Sequence, residues 1–163
     1  MIISLIVAMD LNRAIGYKNQ LPWTHLPADW DNLKTVTAGK KMIMGRKSYE
    51  SPDRLWSEAG NVVITRQPNY QTDAGFLVAD TLEKALQLVG DVNEVFILGG
   101  EEIFRISLSI ADRIYLTIVK GTFQADAFFP EFPEGDFREI RHDDYQSDSE
   151  NPYDYAFIVY ERK

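Results

Sequence analysis

The chain has 163 residues, the length of one domain, and 45% of them are hydrophobic, which is enough for one substantial core. Its 17 Lys and Arg residues against 25 Asp and Glu leave a net charge of -8, which disfavours nucleic acids and anionic membrane surfaces as partners. The absence of cysteine excludes disulfides and thiolate metal sites, and 2 histidines are too few for a histidine-based metal centre.

Buried strands alternate with helices along most of the chain. The apolar run Ile2–Met9 predicts a strand buried on both faces; it is too short to span a membrane and lacks the basic head of a signal peptide, so we expect a cytoplasmic protein. Residues 26–38 predict an amphipathic helix with Pro27 in its first turn and Gly39 after its end. Further strands are predicted at 42–44, 62–65, 76–79, 95–98 and 113–119, with helices after Gly45, from 80 or 81 to 89, and after Gly100.

The last part of the chain changes its period. Apolar residues alternate along 153–160, which predicts an antiparallel edge hairpin paired with 137–141. Strands separated by helices indicate an α/β sheet with parallel crossovers, which these antiparallel strands close. No repeat or linker interrupts the pattern, so we expect a single domain over 1–163.

Two strand–glycine–helix junctions, at 45–48 and 99–102, are candidate phosphate sites. Glycine lets a ligand approach the backbone, and free N–H groups at a helix start attract anions, although one such turn alone is more often structural. The first junction lies in a locally basic stretch, 39–66, with six basic residues against three acidic ones. Two such turns beside Arg46, Lys47 and Arg66 indicate a small ligand with more than one phosphate.

Asp29 lies on the apolar stripe of its predicted helix, between Leu26 and Leu33 and beside Trp30. One interpretation is a first-turn acid that favours the helix dipole. The other is a partly buried acid with a raised pKa that holds a cationic or amidine-like heterocycle. The polar loop at 16–23 just before this helix is either a lid over a site or a plain connector.

Six segments stand in the order and spacing of bacterial dihydrofolate reductases, which the chain resembles over essentially its whole length. They are Ala14-Ile15-Gly16, Leu21-Pro22-Trp23, Leu26-Pro27-Ala28-Asp29, Met44-Gly45-Arg46-Lys47-Ser48-Tyr49-Glu50-Ser51, Ile97-Leu98-Gly99-Gly100 and Tyr115-Leu116-Thr117. The resemblance implies an eight-stranded, mostly parallel sheet flanked by helices, with an antiparallel C-terminal hairpin. It implies that residues of about 39–90 form an adenosine-binding part. It also implies an enzyme that transfers a hydride from NADPH to the pterin ring of 7,8-dihydrofolate. Since nothing in the sequence indicates an oligomer, we expect a monomer by default.

The resemblance implies roles for particular residues. Asp29 would bind the pterin 2-amino group and N3 and help N5 acquire its proton through water, which Trp23 and Thr117 would hold. The substrate would contact Ile6, Val7, Ala8, Leu21, Trp30, Leu33, Pro52, Trp56, Leu98 and Phe104. The cofactor would contact Ala8, Ile15, Gly16, Asn19, Gly45, Arg46, Lys47, Ser48, Thr65, Arg66, Leu98, Gly99, Gly100, Glu101, Ile103 and Phe104. Arg46 and Arg66 would select NADPH over NADH by facing its 2′-phosphate.

Residues 52–61 depart from the family's pattern. An arginine there usually binds the α-carboxylate of the substrate's glutamate, but the ungapped register places Ala59 at that position with Glu58 beside it. Losing such a contact costs on the order of 2–3 kcal/mol. We therefore expect turnover with weak binding of the folate tail, unless Arg54 or Lys34 substitutes for the arginine.

Two other functions stay open. A reductase of the same fold could act on another pterin or on a pyrimidine intermediate, which the missing arginine favours and the intact Asp29, Trp23 and Thr117 disfavour. A non-catalytic nucleotide-binding module would keep the phosphate turns without needing an acid such as Asp29.

Overall fold

The computed structural model describes residues 1–163. Its strands are β1 (Ile2–Met9), β2 (Ala14–Gly16), β3 (Lys41–Gly45), β4 (Asn61–Ile64), β5 (Phe76–Ala79), β6 (Glu94–Ile97), β7 (Arg113–Val119), β8 (Ala127–Phe128), β9 (Phe137–Tyr145) and β10 (Tyr155–Arg162). Its helices are α1 (Pro27–Thr37), α2 (Arg46–Glu50), α3 (Leu82–Val89) and α4 (Glu101–Ser107), with 3-10 turns at Leu108–Ile110 and Glu134–Asp136. None of the helices is long and apolar enough to cross a membrane.

One eight-stranded sheet runs through the molecule in the order β5-β4-β3-β6-β1-β7-β10-β9. Each neighbouring pair from β5 to β7 is parallel, whereas β10 is antiparallel to both β7 and β9. This arrangement confirms the predicted fold class, a mostly parallel sheet with an antiparallel C-terminal hairpin. The central strands are apolar on both faces because helices and loops cover both sides of the sheet.

Capping residues and glycines in the sequence predict several helix ends correctly. The hydroxyl of Thr81 accepts a hydrogen bond from the Lys84 backbone N–H, which begins α3, and Gly90 at a φ of 80° ends it. Helix α1 begins at Pro27 and ends one residue before the predicted boundary. The predicted strand at 113–119 is confirmed in both bounds.

Two features differ from the sequence prediction. Strands β2 and β8 form a separate antiparallel pair that the sequence did not indicate, because segments of three and two residues show no periodicity. Strand β9 extends to Tyr145 rather than ending at 141, since its exposed residues are charged and hide the strand pattern. The β2–β8 pair fixes the start of the loop at 16–23.

Candidate active site

A cleft of ≈ 1420 Å³ opens where the parallel strands end at their carboxyl edge. Strand β1 contributes Ile6, Val7 and Ala8 to its walls, and helix α1 contributes Asp29 and Leu33. Both strand–glycine–helix junctions border the same cleft. The topology therefore unites the candidate acid with the candidate phosphate turns, which are far apart in sequence.

Asp29 lies at the base of the cleft and is only 9% exposed. The Thr117 hydroxyl donates a hydrogen bond of 2.7 Å to its Oδ1. The register of the sheet pairs Thr117 with Ala8 on β1, which directs this contact into the cleft. Burial penalises the carboxylate and raises the pKa of Asp29 to about 6, while the hydrogen bond from Thr117 lowers it by less. Asp29 thus lies in the first turn of α1, as one interpretation of the sequence expected, and is also buried, as the other expected.

The two glycine junctions contact each other through their backbones. The Gly45 N–H donates to the Gly99 carbonyl at 2.7 Å. A Cβ on Gly45 would lie 2.8 Å from Cγ1 of Ile103, and one on Gly99, at a φ of 96°, would lie 2.6 Å from Cε2 of Phe104. Both positions thus require glycine for packing, and the same lack of a side chain brings the backbone next to the cleft.

Basic residues line one part of the cleft together with small hydroxyl side chains. They are Arg46, Lys47, Ser48, Thr65 and Arg66. Arg46 donates to the Glu50 carboxylate at 2.8 Å, and Glu50 also accepts a hydrogen bond of 2.6 Å from the Tyr70 hydroxyl. This arrangement fixes the direction of the Arg46 guanidinium before any anion binds.

The loop at 16–23 bridges two walls of the cleft. On one side the Lys18 N–H donates to the Asp126 carboxylate at 3.0 Å, and the Asp126 N–H donates to the Gly16 carbonyl at 2.9 Å. On the other side the Ser51 hydroxyl donates to the Asn19 carbonyl at 2.9 Å. These contacts favour the lid interpretation over that of a plain connector.

Comparison with known proteins decides the family. Residues 2–162 match the sequence model of the family described as dihydrofolate reductase. The chain belongs to the dihydrofolate reductase family.

Individual members of the dihydrofolate reductase family match the chain over nearly its full length. The dihydrofolate reductase of Bacillus subtilis (strain 168) is 39% identical over 161 residues, covering 99% of this chain and 95% of that protein. The dihydrofolate reductase of Haemophilus influenzae is 40% identical and covers 100% of both chains. A solved dihydrofolate reductase from Enterococcus faecalis, complexed with NADP(H) and RAB-propyl, superposes with a TM-score of 0.88 at 28% identity, covering 99% of this chain and 96% of that one.

Most residues to which the dihydrofolate reductase resemblance gave a role line the cleft. These are Ile6, Val7, Ala8, Ile15, Gly16, Asn19, Leu21, Asp29, Trp30, Leu33, Gly45, Arg46, Lys47, Ser48, Thr65, Arg66, Leu98, Gly100, Glu101, Ile103, Phe104 and Thr117. Their location follows from the structure, whereas their individual contacts with substrate and cofactor stay predictions.

Four residues with predicted roles do not line the cleft: Trp23, Pro52, Trp56 and Gly99. Trp56 is 55% exposed, and its neighbour Leu55 lines the cleft instead, because the loop after α2 turns Leu55 inward against the core around Tyr49. The Gly99 carbonyl accepts the hydrogen bond from the Gly45 N–H, and Gly99 itself is not part of the cleft surface. The predicted contacts of Pro52 and Trp56 with substrate therefore have no support in the geometry of the dihydrofolate reductase cleft.

Trp23 is buried in a cluster behind the cleft with Leu26, Val119, Tyr155 and Phe157. Its ring packs edge-on against Phe123 at a centroid distance of 5.8 Å. The indole Nε1 is buried and has no hydrogen-bond partner among the protein atoms. It is thus a buried donor whose hydrogen-bonding capacity is unused.

Sequence reasoning missed several residues that line the cleft. They include Asn32, Met44, Leu55, Gln67, Pro68, Asp80 and Thr81. The helix-cap pattern singled out Asp80 and Thr81 only as structural residues, although a helix start at the end of a parallel strand often borders a ligand site. Leu55 carried no signal in the sequence, whereas the resemblance gave its neighbour Trp56 a substrate contact.

Proposed function

We propose that Asp29 binds the pterin ring and supports its protonation in the reaction that this family member catalyses, the NADPH-dependent reduction of 7,8-dihydrofolate to 5,6,7,8-tetrahydrofolate. The observation that carries the proposal is the buried Asp29–Thr117 pair at the base of the cleft. A carboxylate presents two acceptor oxygens in one plane, which match the 2-amino group and N3 of a pterin.

The pKa of Asp29 suits this role. A carboxyl group that titrates at about 6 exists in both protonation states near neutral pH, so it can hold a proton for the substrate and exchange it with solvent. Thr117 donates to Oδ1 and so fixes the carboxylate, and because each carboxylate oxygen can accept two hydrogen bonds, both oxygens keep capacity for the ligand. The unused Nε1 donor of Trp23 supports its predicted role of holding water near this site.

The cofactor half of the cleft fits NADPH, which supplies the hydride when bound. We propose that 39–90 form the adenosine-binding part of a single domain, with Arg46 and Arg66 facing the 2′-phosphate. The basic and hydroxyl side chains of Arg46, Lys47, Ser48, Thr65 and Arg66, which line the cleft, support this placement. The protein's own contribution is to bind the cofactor and the substrate, to orient them toward each other and to exclude water from the cleft.

The substrate half needs a cation for the folate carboxylate. Ala59 does not line the cleft but borders a separate cavity of ≈ 240 Å³ beside Lys41 and Leu88. Lys34 also lies outside the lining residues, whereas Arg54 is among them. We therefore propose that Arg54 takes the place of the arginine that the family pattern leads one to expect.

The localisation, oligomeric state and macromolecular partners of the protein are inferred from its sequence. We propose a cytoplasmic monomer that binds neither nucleic acid nor membranes, on the basis of its acidic composition. Sedimentation equilibrium across a range of protein concentrations tests the monomer, and a concentration-dependent mass would contradict it.

The deciding experiment measures NADPH oxidation in the presence of 7,8-dihydrofolate. We expect Asp29→Asn to lower hydride transfer by about 100-fold or more, since positioned acids contribute roughly 10²–10⁴-fold. The wild-type rate should fall as the pH rises through about 6, where Asp29 loses its proton.

Asp31→Asn is the matched control, because Asp31 lies exposed on the same helix and outside the cleft. It should keep wild-type activity within about twofold, as exposed substitutions usually do. No dihydrofolate-dependent oxidation would refute the activity, and full activity of Asp29→Asn would refute the role of the acid.

A further inference from the structure

The helix that carries Asp29 lacks a cap of its own. Helix α1 follows Leu26, whose side chain cannot accept a hydrogen bond, and begins with Pro27, which has no N–H. The Asp29 N–H finds a partner in the Leu26 carbonyl at 2.9 Å. The Ala28 N–H, one residue before the acid, has no partner within the helix.

A residue from the opposite end of the chain satisfies this group. The Ala28 N–H donates to Oδ1 of Asn151 at 2.9 Å, across 123 positions of sequence. Asn151 lies in the loop at 146–154 between β9 and β10 and is only 6% exposed. It does not line the cleft, so it does not touch the ligand itself.

Asp148 holds the Asn151 side chain in this orientation. The Asn151 amide Nδ2 donates to the two carboxylate oxygens of Asp148 at 3.1 and 3.3 Å. The backbone N–H of Asn151 donates to Asp148 at 2.7 Å, and Asp148 returns a backbone hydrogen bond of 2.8 Å to the Asn151 carbonyl. Because the amide nitrogen faces Asp148, the amide oxygen is left to point at α1.

The loop at 146–154 is also held against the segment that precedes α1. Tyr155 and Phe157, at the start of β10, pack in one cluster with Trp23 and Leu26, just before α1. The Tyr153 hydroxyl lies 3.3 Å from the Thr24 hydroxyl. The loop therefore contacts the first turn of α1 as a rigid support.

We propose that Asn151 is a positioning residue for Asp29: its amide oxygen caps α1 from outside and so fixes the carboxylate against Thr117 at the base of the cleft. The role in catalysis rests on the proposed function of Asp29, whereas the positioning itself does not. Burial and Thr117 account for the altered titration of Asp29, and no charged side chain of β1, β7 or α1 pairs with it. A loosened first turn would expose the carboxylate to water.

The test compares Asn151→Ala with Ser149→Ala, an exposed neighbour in the same loop whose side chain makes no hydrogen bond. Asn151→Ala should lower kcat/KM for dihydrofolate about fivefold, the equivalent of the ~1 kcal/mol of a helix cap, mainly through a higher KM. The KM for NADPH should change less than twofold, since the first turn of α1 carries Asp29 at the other part of the cleft. Ser149→Ala should match the wild type.

A second readout does not depend on activity. In the ligand-free protein, NMR of the carboxyl carbon of Asp29 should show its titration midpoint move from about 6 toward the ordinary value of 3.8 in Asn151→Ala. If the wild type fails to reduce dihydrofolate, the proposed function fails, but this titration still tests the positioning. An Asn151→Ala protein with a lower melting temperature but unchanged titration and kcat/KM would overturn the proposal.

A second variant covers the case in which Asn151→Ala does not fold. Asp148→Ala leaves the capping oxygen present but releases the amide that orients it. Asp148→Ala should shift the titration midpoint of Asp29 and the value of kcat/KM in the same directions as Asn151→Ala, but by smaller amounts. Unchanged values of both quantities in a folded Asp148→Ala protein would equally overturn the proposal.

Discussion

Arg54 combines a fixed position with access to the cleft. Its guanidinium carbon lies 4.5 Å above the ring of Tyr49, and its Nη1 donates to the Tyr49 carbonyl at 3.1 Å. Its Nη2 lies 3.5 Å from the carboxylate of Asp73, whose side chain is 72% exposed and therefore weakly held. Stacking and one backbone contact orient the guanidinium while leaving part of its hydrogen-bonding capacity free.

Arg54→Ala should therefore raise the KM for dihydrofolate by about 10-fold or more, since a hydrogen bond to a charged group contributes roughly 1.5–3 kcal/mol. The comparison substrate is a dihydropterin without the glutamate tail, for which the KM should not change. Lys34→Ala is the control, because Lys34 does not line the cleft. An equal rise for both substrates would show that Arg54 supports the fold of the loop rather than the carboxylate.

The two glycine junctions act as one element of structure because β3 and α4 meet at them. Gly45→Ala should destabilise the protein by about 1–3 kcal/mol, since the new Cβ would lie 2.8 Å from Cγ1 of Ile103. Ile103→Ala removes that atom and alone costs about 2–5 kcal/mol. Urea unfolding measures the free energy of unfolding of each variant. The loss in the double variant should be smaller than the sum of the two single losses by at least about 0.5 kcal/mol. Strict additivity would mean that the contact does not limit packing there.

Element bounds follow the sequence wherever a strong local signal exists. Strands β5 and β7 lie where their apolar runs predict, and Thr81 with Gly90 delimits α3. The β2–β8 pair escaped prediction because a strand of two or three residues exists only through its partner. That pair and the contacts of Asp126 together fix the loop at 16–23, so the missed element lies beside the cleft.

At the scale of the whole molecule, the buried carboxyl group of Asp29 opposes folding stability at neutral pH. The pKa of Asp29 rises from 3.8 in the unfolded chain to about 6 in the fold, so the folded state favours the protonated form. As the pH rises from 3.8 to about 6, Asp29 ionises in the unfolded chain before it ionises in the fold, so the folded state loses stability over this range. Above about 6 the full free-energy cost of ionising the buried carboxyl group is present. It amounts to about 3 kcal/mol at most.

Asp29→Asn should accordingly be more stable than the wild type by about 2–3 kcal/mol at pH near 8, and by far less at pH near 4. Chemical denaturation at both pH values measures the difference, with Asp31→Asn, at an exposed position of the same helix, as the control. A gain of equal size at both pH values would show that the effect does not come from the ionisation of Asp29.

The sequence by itself determined the α/β fold class and the two strand–glycine–helix junctions, because buried strands, helix caps and glycine turns leave local patterns. Those patterns left two interpretations of Asp29 open, and the family resemblance gave it the predicted role of the acid. Tertiary structure alone decided that Leu55 lines the cleft in place of Trp56, and that Ala59 lies beside another cavity. It also decided that Asn151 caps the helix of Asp29, across 123 positions of sequence. These outcomes depend on the path of loops and on contacts between distant segments, for which sequence spacing carries no periodic signal.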